Sequence, residues 1–172
     1  GSILDSAGLG IHFGNDRAIR ELRSVANQTG SIRTLSESYG GGGWDFSFES
    51  QKRLVDWQFA LGVNFINQHM SDYSLTGVRK YDYPLSFSYH ESWWKHYRLM
   101  GDYTGRMSLA MSGGEQINEI LVLQPNTTAW MYFTRKENNQ VIDSIRDDFK
   151  SFIYQLEQNH IEYDLGSEYV IK

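Results

Sequence analysis

The sequence predicts an α/β fold from three observations. Segments of helical period alternate with short β-prone runs, glycines stand where the helices stop, and the connections are long enough for right-handed crossovers between parallel strands. Asn15 or Asp16 is placed to cap a first helix whose apolar face is Ile19, Leu22, Val25 and Ala26, and Gly30 suits the left-handed residue beyond its end. Ile32 to Ser36 reads as a strand. It delivers Glu37 into a turn, Ser38-Tyr39-Gly40-Gly41-Gly42-Gly43-Trp44. Ser47 then caps a second helix, with Glu49 favourable at the positive end of its dipole, Leu54, Trp57 and Leu61 on one face, and Gly62 as the stop. Val63 to Asn67 reads as the next strand.

About 23 residues without clear periodicity follow, a length that usually marks a functional loop, and they hold Tyr73, Tyr81, Tyr83, Phe87 and Tyr89. Trp93, Tyr97, Met100, Thr104, Met107 and Met111 then make one stripe, which predicts a helix from near Glu91 to the stop at Gly113-Gly114. Ile120 to Leu123 reads as a buried strand of the parallel type. Val141, Ile145, Phe149, Phe152 and Leu156 line one side of a final helix, and Ile161, Tyr163 and Leu165 alternate as a last strand.

Composition narrows the function classes. With 172 residues, 40% of them hydrophobic and 15% aromatic, the chain has enough apolar surface for a core of one domain or a domain and part of another. A net charge of -5, with 16 scattered Lys and Arg, argues against a nucleic-acid partner, which needs clustered cations. No apolar run approaches the roughly 20 residues that span a bilayer. The absence of cysteine excludes disulfides and thiolate zinc sites, and the histidines, His12, His69, His90, His96 and His160, show no metal-ligand spacing, so neither a metal nor a cofactor is expected.

Glu37 is the leading chemical candidate. A carboxylate at a strand end beside the indole of Trp44 is what a sugar-processing site needs: one oxygen attacks or activates water while the ring stacks on the apolar face of a pyranose. Its bland counterpart is a glutamate that ends a strand near a turn. Asp45 follows the same glycine loop, though an aspartate there also suits the approach to a helix. His69 and Tyr73 follow the second strand, on the rim that bears Glu37, where imidazole and phenol can donate hydrogen bonds to sugar hydroxyls or simply pack the loop. The glycine run lacks the Gly-Lys-Ser/Thr ending of a phosphate-binding loop.

Residues 24 to 37, Ser-Val-Ala-Asn-Gln-Thr-Gly-Ser-Ile-Arg-Thr-Leu-Ser-Glu, resemble a segment of glycoside hydrolase family 106, the α-L-rhamnosidases, in which a helix leads through a glycine into a strand ending in an active-site glutamate. The likeness continues through Gly43-Trp44, Asp56 to Asn64, Gln68-His69, Arg79 to Asp82, Trp93-Trp94 and Leu121 to Trp130. Ile120 to Pro125, Thr128 to Trp130 and Phe149 to Asp164 are similar to the opening of the flavodoxin-like, amidotransferase-like domain that follows the barrel in family 42 β-galactosidases. Together the resemblances imply the C-terminal portion of a (β/α)8 barrel over residues 1–115 and the start of a flavodoxin-like α/β domain over 116–172.

They also imply a carbohydrate substrate, α-L-rhamnosides first, and a periplasmic or extracellular setting. Glu37 is then nucleophile or general base, Trp44, Asp45, His69 and Tyr73 shape the sugar site, and the general acid lies outside this chain. Two other classes stay open. One is a non-catalytic carbohydrate-binding or assembly module; the other is a structural fragment whose exposed strand edges pair between copies into a homo-oligomer.

Overall fold

The computed structural model describes residues 16–134 and 139–169, and the chain divides into two compact units, residues 1–115 and 116–172. Both are mixed α/β with a two-stranded parallel sheet.

The first unit opens with helix α1, Asp16–Thr29, which buries Ile19, Ser24 and Ala26. Its proposed cap Asn15 lies outside the described residues. The helix closes where Ser31 N–H donates to Ala26 O at 2.9 Å, with Gly30 at φ 71°. Strand β1, Leu35–Ser38, and strand β2, Phe65–Gln68, flank helix α2, Phe48–Ala60, and pair in parallel with Glu37 opposite Asn67, as the crossover length predicts.

Both strands begin about two to three residues later than their Val and Ile runs predict, and Glu37 lies within β1 rather than beyond it. The cause is a polar clamp. Asn64 Oδ1 accepts from Thr34 N–H at 2.9 Å, Asn64 Nδ2 donates to Ile32 O at 2.7 Å, and Thr34 Oγ donates to Gly62 O at 2.7 Å. Side chains thus take the backbone partners that a longer ladder would use.

Helix α2 is capped by Ser47, whose hydroxyl accepts from Ser50 N–H at 3.2 Å. Its buried face is Gln51, Leu54, Val55, Gln58 and Phe59, the i, i+3, i+4, i+7, i+8 spacing of a core-facing stripe, and not the predicted Leu54-Trp57-Leu61 line. Two glutamines in that stripe hide it from a hydrophobicity count. Gln58 Oε1 accepts from Ser38 Oγ at 3.0 Å, and Ser38 Oγ lies 3.2 Å from Ser36 Oγ, so the layer between α2 and β1 is polar.

The apolar core packs on the same face of α2: Leu54, Val55 and Phe59 join Tyr39, Phe46, Leu85, Phe87 and Met100. Phe87 is its centre, with ring centroids 5.4 Å from Tyr39, 5.8 Å from Trp93 and 5.3 Å from Tyr97. Such aromatic pairs contribute about 0.5–1.5 kcal/mol each beyond area burial. The predicted long helix from Glu91 is shorter: Trp94–His96 form a 3₁₀ turn, and helix α3 runs Arg98–Ser112. Trp93 and Trp94 are therefore not on one α-helix. Trp93 packs on the core, and Trp94 stacks on Tyr97 at 5.5 Å while staying exposed.

The second unit contains strand β3, Leu121–Leu123, helix α4, Asn126–Tyr132, helix α5, Gln140–Gln158, and strand β4, Asp164–Gly166. β3 and β4 pair in parallel, Leu121 opposite Asp164 and Leu123 opposite Gly166. Asn139 caps α5, its side-chain oxygen accepting from Ile142 N–H at 3.3 Å. The core is Val122, Ile153, Tyr163 and Leu165, with Phe149 and Leu156 against it. Val141 and Phe152, expected on the buried side of α5, are exposed, and Ile153 takes the central position. Tyr163 is buried just ahead of β4 rather than within it, its hydroxyl donating to Glu157 at 2.9 Å.

Candidate active site

At the C-terminal end of the β1–β2 pair the chain turns sharply twice. Along β1, Ser36 and Ser38 face inward while Leu35 and Glu37 face outward, so strand alternation alone points the Glu37 carboxylate away from α2. Leu35 and Phe65 are 49% and 46% exposed, so the Glu37-bearing face begins with two apolar side chains and ends with Glu37 and Asn67.

β2 delivers His69 beside Glu37. His69 N–H donates to Ser38 O at 2.8 Å, which fixes its backbone to the end of β1. The ring is seated by Gly40, where an added Cβ would stand 3.2 Å from His69 Cγ, and by Tyr83, whose ring centroid is 5.4 Å away. Nδ1 is buried without a hydrogen-bond partner among the described residues, and Nε2 faces Glu37 Oε1 at 4.0 Å. That gap is too long for a direct bond. An oxygen placed at about 2.8 Å from each atom completes a triangle, so the pair can share one water or one sugar hydroxyl between a donor and an acceptor.

The glycine loop is built on Tyr39. This residue holds φ 77° although it has a side chain, its ring is buried against Phe46 and Phe87, and its carbonyl accepts from Gly42 N–H at 3.0 Å. A positive φ outside glycine is uncommon, and here the buried ring holds the backbone in it. Burial pushes the Tyr39 hydroxyl well above the usual phenol range, and that of Tyr97 up to about 12. Neither acts as an acid or base near neutral pH. Gly41 and Gly43, at φ 75° and 87°, complete the turn, and Gly43 N–H donates to Pro84 O at 3.0 Å.

Trp44 and Asp45 leave that turn exposed. The Trp44 indole N–H donates to Lys80 O at 3.1 Å, which pins it to the 3₁₀ turn Gly77–Tyr81. Tyr73 stands 98% exposed further along the loop after β2, lining a cavity with Met70. The structure thus brings Glu37 and His69 together, sets Trp44 and Asp45 on the loop that follows Glu37, and gives Tyr73 a different setting. Gly40 and Tyr83 seat the imidazole, and the sequence marks them only as members of a turn and a loop. Gly40 was legible as one of a run, but nothing in a run of four says which member faces a histidine.

Glu91 is the other unusual carboxyl. It is 8% exposed, Oε1 has no hydrogen-bond partner, and burial holds its carboxyl above the usual range despite the Ser86 N–H bond and the neighbouring His90 that oppose the shift.

No protein-family profile matches the chain, and none of the curated proteins compared with it matches. Among solved structures there is similarity to a glycoside-cleaving enzyme. It is the rhamnosidase from Novosphingobium sp. PP1Y, with a TM-score of 0.50 and 27% identity over 61% of this chain and 11% of that one. The matched part of this chain therefore spans about one ninth of that enzyme's length.

Proposed function

We propose that this chain is the part of a glycoside hydrolase that carries its nucleophile or general base, and that Glu37 is that residue. The observation that carries the reading is the Glu37–His69 pair at the C-terminal end of a parallel β–α–β crossover, in a chain similar to a rhamnosidase. Enzymes built on (β/α)8 barrels do their chemistry at this end of the strands. Residues 1–115 are then a portion of the barrel and 116–172 the opening of a flavodoxin-like domain. The exposed Leu35 and Phe65 beside Glu37 suit a face that further barrel strands cover.

Terminal α-L-rhamnosides are the substrate class. Glycoside hydrolysis needs two carboxyl groups, about 5–5.5 Å apart for retention and about 6.5–9.5 Å for inversion, and the second comes from elsewhere in the barrel. Glu37 attacks the anomeric carbon or draws a proton from water. His69 Nε2 orients the hydroxyl or water shared with Glu37, while Trp44 and Asp45 edge the sugar and Tyr73 extends the wall.

Glu37→Gln in the full-length protein keeps the shape and removes the charge, so kcat on an aryl α-L-rhamnoside should fall by about 10²–10⁴ with KM little changed. A variant that keeps near-wild-type kcat overturns the assignment. Azide rescue with a changed product anomer would make Glu37 the nucleophile of a retaining enzyme.

A further inference from the structure

The geometry points to a second binding site: the cavity just past His69 is a subsite for a neutral pyranose ring, held by Asp72, Arg79 and Tyr73. The cavity is about 380 Å³ and begins at Met70, the residue after His69. That volume falls in the roughly 300–1,000 Å³ range of small-ligand sites.

Its walls are built by bonds that consume most of the hydroxyls present. On one side Phe87 N–H donates to Met70 O at 3.1 Å, Ser71 Oγ donates to Phe87 O at 2.6 Å, and Asp72 N–H donates to the buried Ser86 Oγ at 2.9 Å, so this wall rests on the core. On the other, Ser74 and Thr76 hydroxyls lie 2.7 Å apart and Thr76 N–H donates to Ser74 Oγ at 3.1 Å. Three lining groups are left over. The Asp72 carboxylate, half-buried, makes no hydrogen bond or ion pair among the described residues. Arg79 reaches Asp82 with one nitrogen at a long 3.5 Å, which leaves its other donors available. Tyr73 offers a ring that is almost wholly exposed.

Asp72 and Arg79 thus line one cavity with opposite charges and do not pair with each other. A phosphate or carboxylate would meet Asp72, and a metal cation would meet Arg79. A neutral polyol satisfies both, because its hydroxyls donate to the carboxylate and accept from the guanidinium while its apolar face lies on the tyrosine ring. Within the glycosidase reading, on which this role rests, the ring held here is the leaving-group sugar, one unit from the bond at Glu37. The natural substrate is then an oligosaccharide, of which an aryl glycoside reproduces only the sugar held at Glu37.

The test is binding to the 172-residue chain itself, followed by NMR of the Ser71–Thr76 amides and the Arg79 side chain while methyl α-L-rhamnopyranoside, methyl β-D-galactopyranoside, sodium phosphate or calcium chloride is added. At least one glycoside should shift these resonances saturably with a Kd of about 1–10 mM. Asp72→Asn and Arg79→Met should each weaken it by about tenfold, with unchanged thermal melting as the check on folding, and Glu37→Gln should leave it within about twofold. No saturable shift from either glycoside, shifts from phosphate or calcium alone, or glycoside shifts that survive both variants would overturn the subsite. Should Glu37→Gln leave turnover of the full-length protein intact while the sugar still binds here, the hydrolase reading fails and the subsite stands.

Discussion

The two parallel strand pairs share a topology and differ in what holds them. Between β1 and α2 lies a polar layer of Ser36, Ser38 and Gln58, and the pair is fixed at its start by the Thr34–Asn64 clamp. β3 and β4 instead rest on Val122, Ile153, Tyr163 and Leu165. The first arrangement fixes direction and register through bonds that tolerate little displacement; the second gains most from area removed from water. The candidate site sits where the placement is most constrained. Glu37 and His69 leave the clamped pair, whereas the corresponding ends of the other pair carry Gln124 and Ser167, and the Gln124 N–H donates to Gly166 O at 3.0 Å.

Breaking the clamp should be the most costly single change. Asn64→Ala orphans the buried Thr34 N–H, removes the bond to the part-buried Ile32 carbonyl and leaves a void where Asn64 and Thr34 are essentially inaccessible to water. At about 1–3 kcal/mol for each unsatisfied buried group, the loss should be about 3 kcal/mol, measured by urea denaturation, with accelerated amide exchange at Phe65 and Ile66. A loss under 1 kcal/mol would mean that the strands do not depend on the clamp. Ile153→Val in the apolar pair removes one methylene and should cost about 1 kcal/mol, read from exchange at Leu165. A loss there as large as that of Asn64→Ala would erase the distinction between the two pairs.

Glu91→Gln tests a buried carboxyl of the first unit. Its pKa is raised in the folded state, so the folded chain binds the proton more tightly than the unfolded one, and Glu91 costs stability as pH rises from the ordinary carboxylate range through its raised value. The substitution should raise Tm at pH 7 and flatten that part of the pH profile. A Tm lower at pH 7 than in wild type would mean that the ionised carboxylate is the stabilising form. The smallest effect on stability is expected from Gly40→Ala, whose backbone is outside the left-handed region and whose new methyl meets the His69 side chain first. Unfolding free energy should change by less than about 1 kcal/mol while the His69 Cε1 proton shift moves, because the ring must give way.

Much of the first unit's order was legible. The Leu54 position, the Ser47 cap and the glycine stops carry local signals, and the crossover length predicts the parallel pairing, whereas Val55 and Phe59 are masked by the glutamines that share their stripe. The late strand starts were not legible, because Thr34 and Asn64 are about 30 residues apart and nothing local says that one will take the other's backbone proton. The same limit applies at the site. Periodicity places Glu37 and His69 at one sheet end, but the contacts that aim the imidazole, Gly40 and Tyr83, come from separate loops. In the second unit α4 escaped notice, a helix of only two turns in which Trp130, Met131 and Tyr132 are all exposed, so no apolar stripe marks it.

The Thr34–Asn64 clamp also carries an entropic cost of loop closure. Closing it joins residues about 30 apart in sequence, and the entropy of that closure is lost before any of its bonds is gained. Helix α2, capped locally by Ser47, needs no such closure and can form within the open segment, shortening the distance its ends must search. Once the ends meet, a strand slipped by one residue would turn Leu35 and Glu37 toward α2 and leave Gln58 without the Ser38 hydroxyl. The clamp therefore adds a second check on register to the one the burial pattern supplies: a slipped pair loses the Thr34–Asn64 bonds as well as the Ser38–Gln58 bond, and with them the alignment that sets the carboxylate and imidazole side by side.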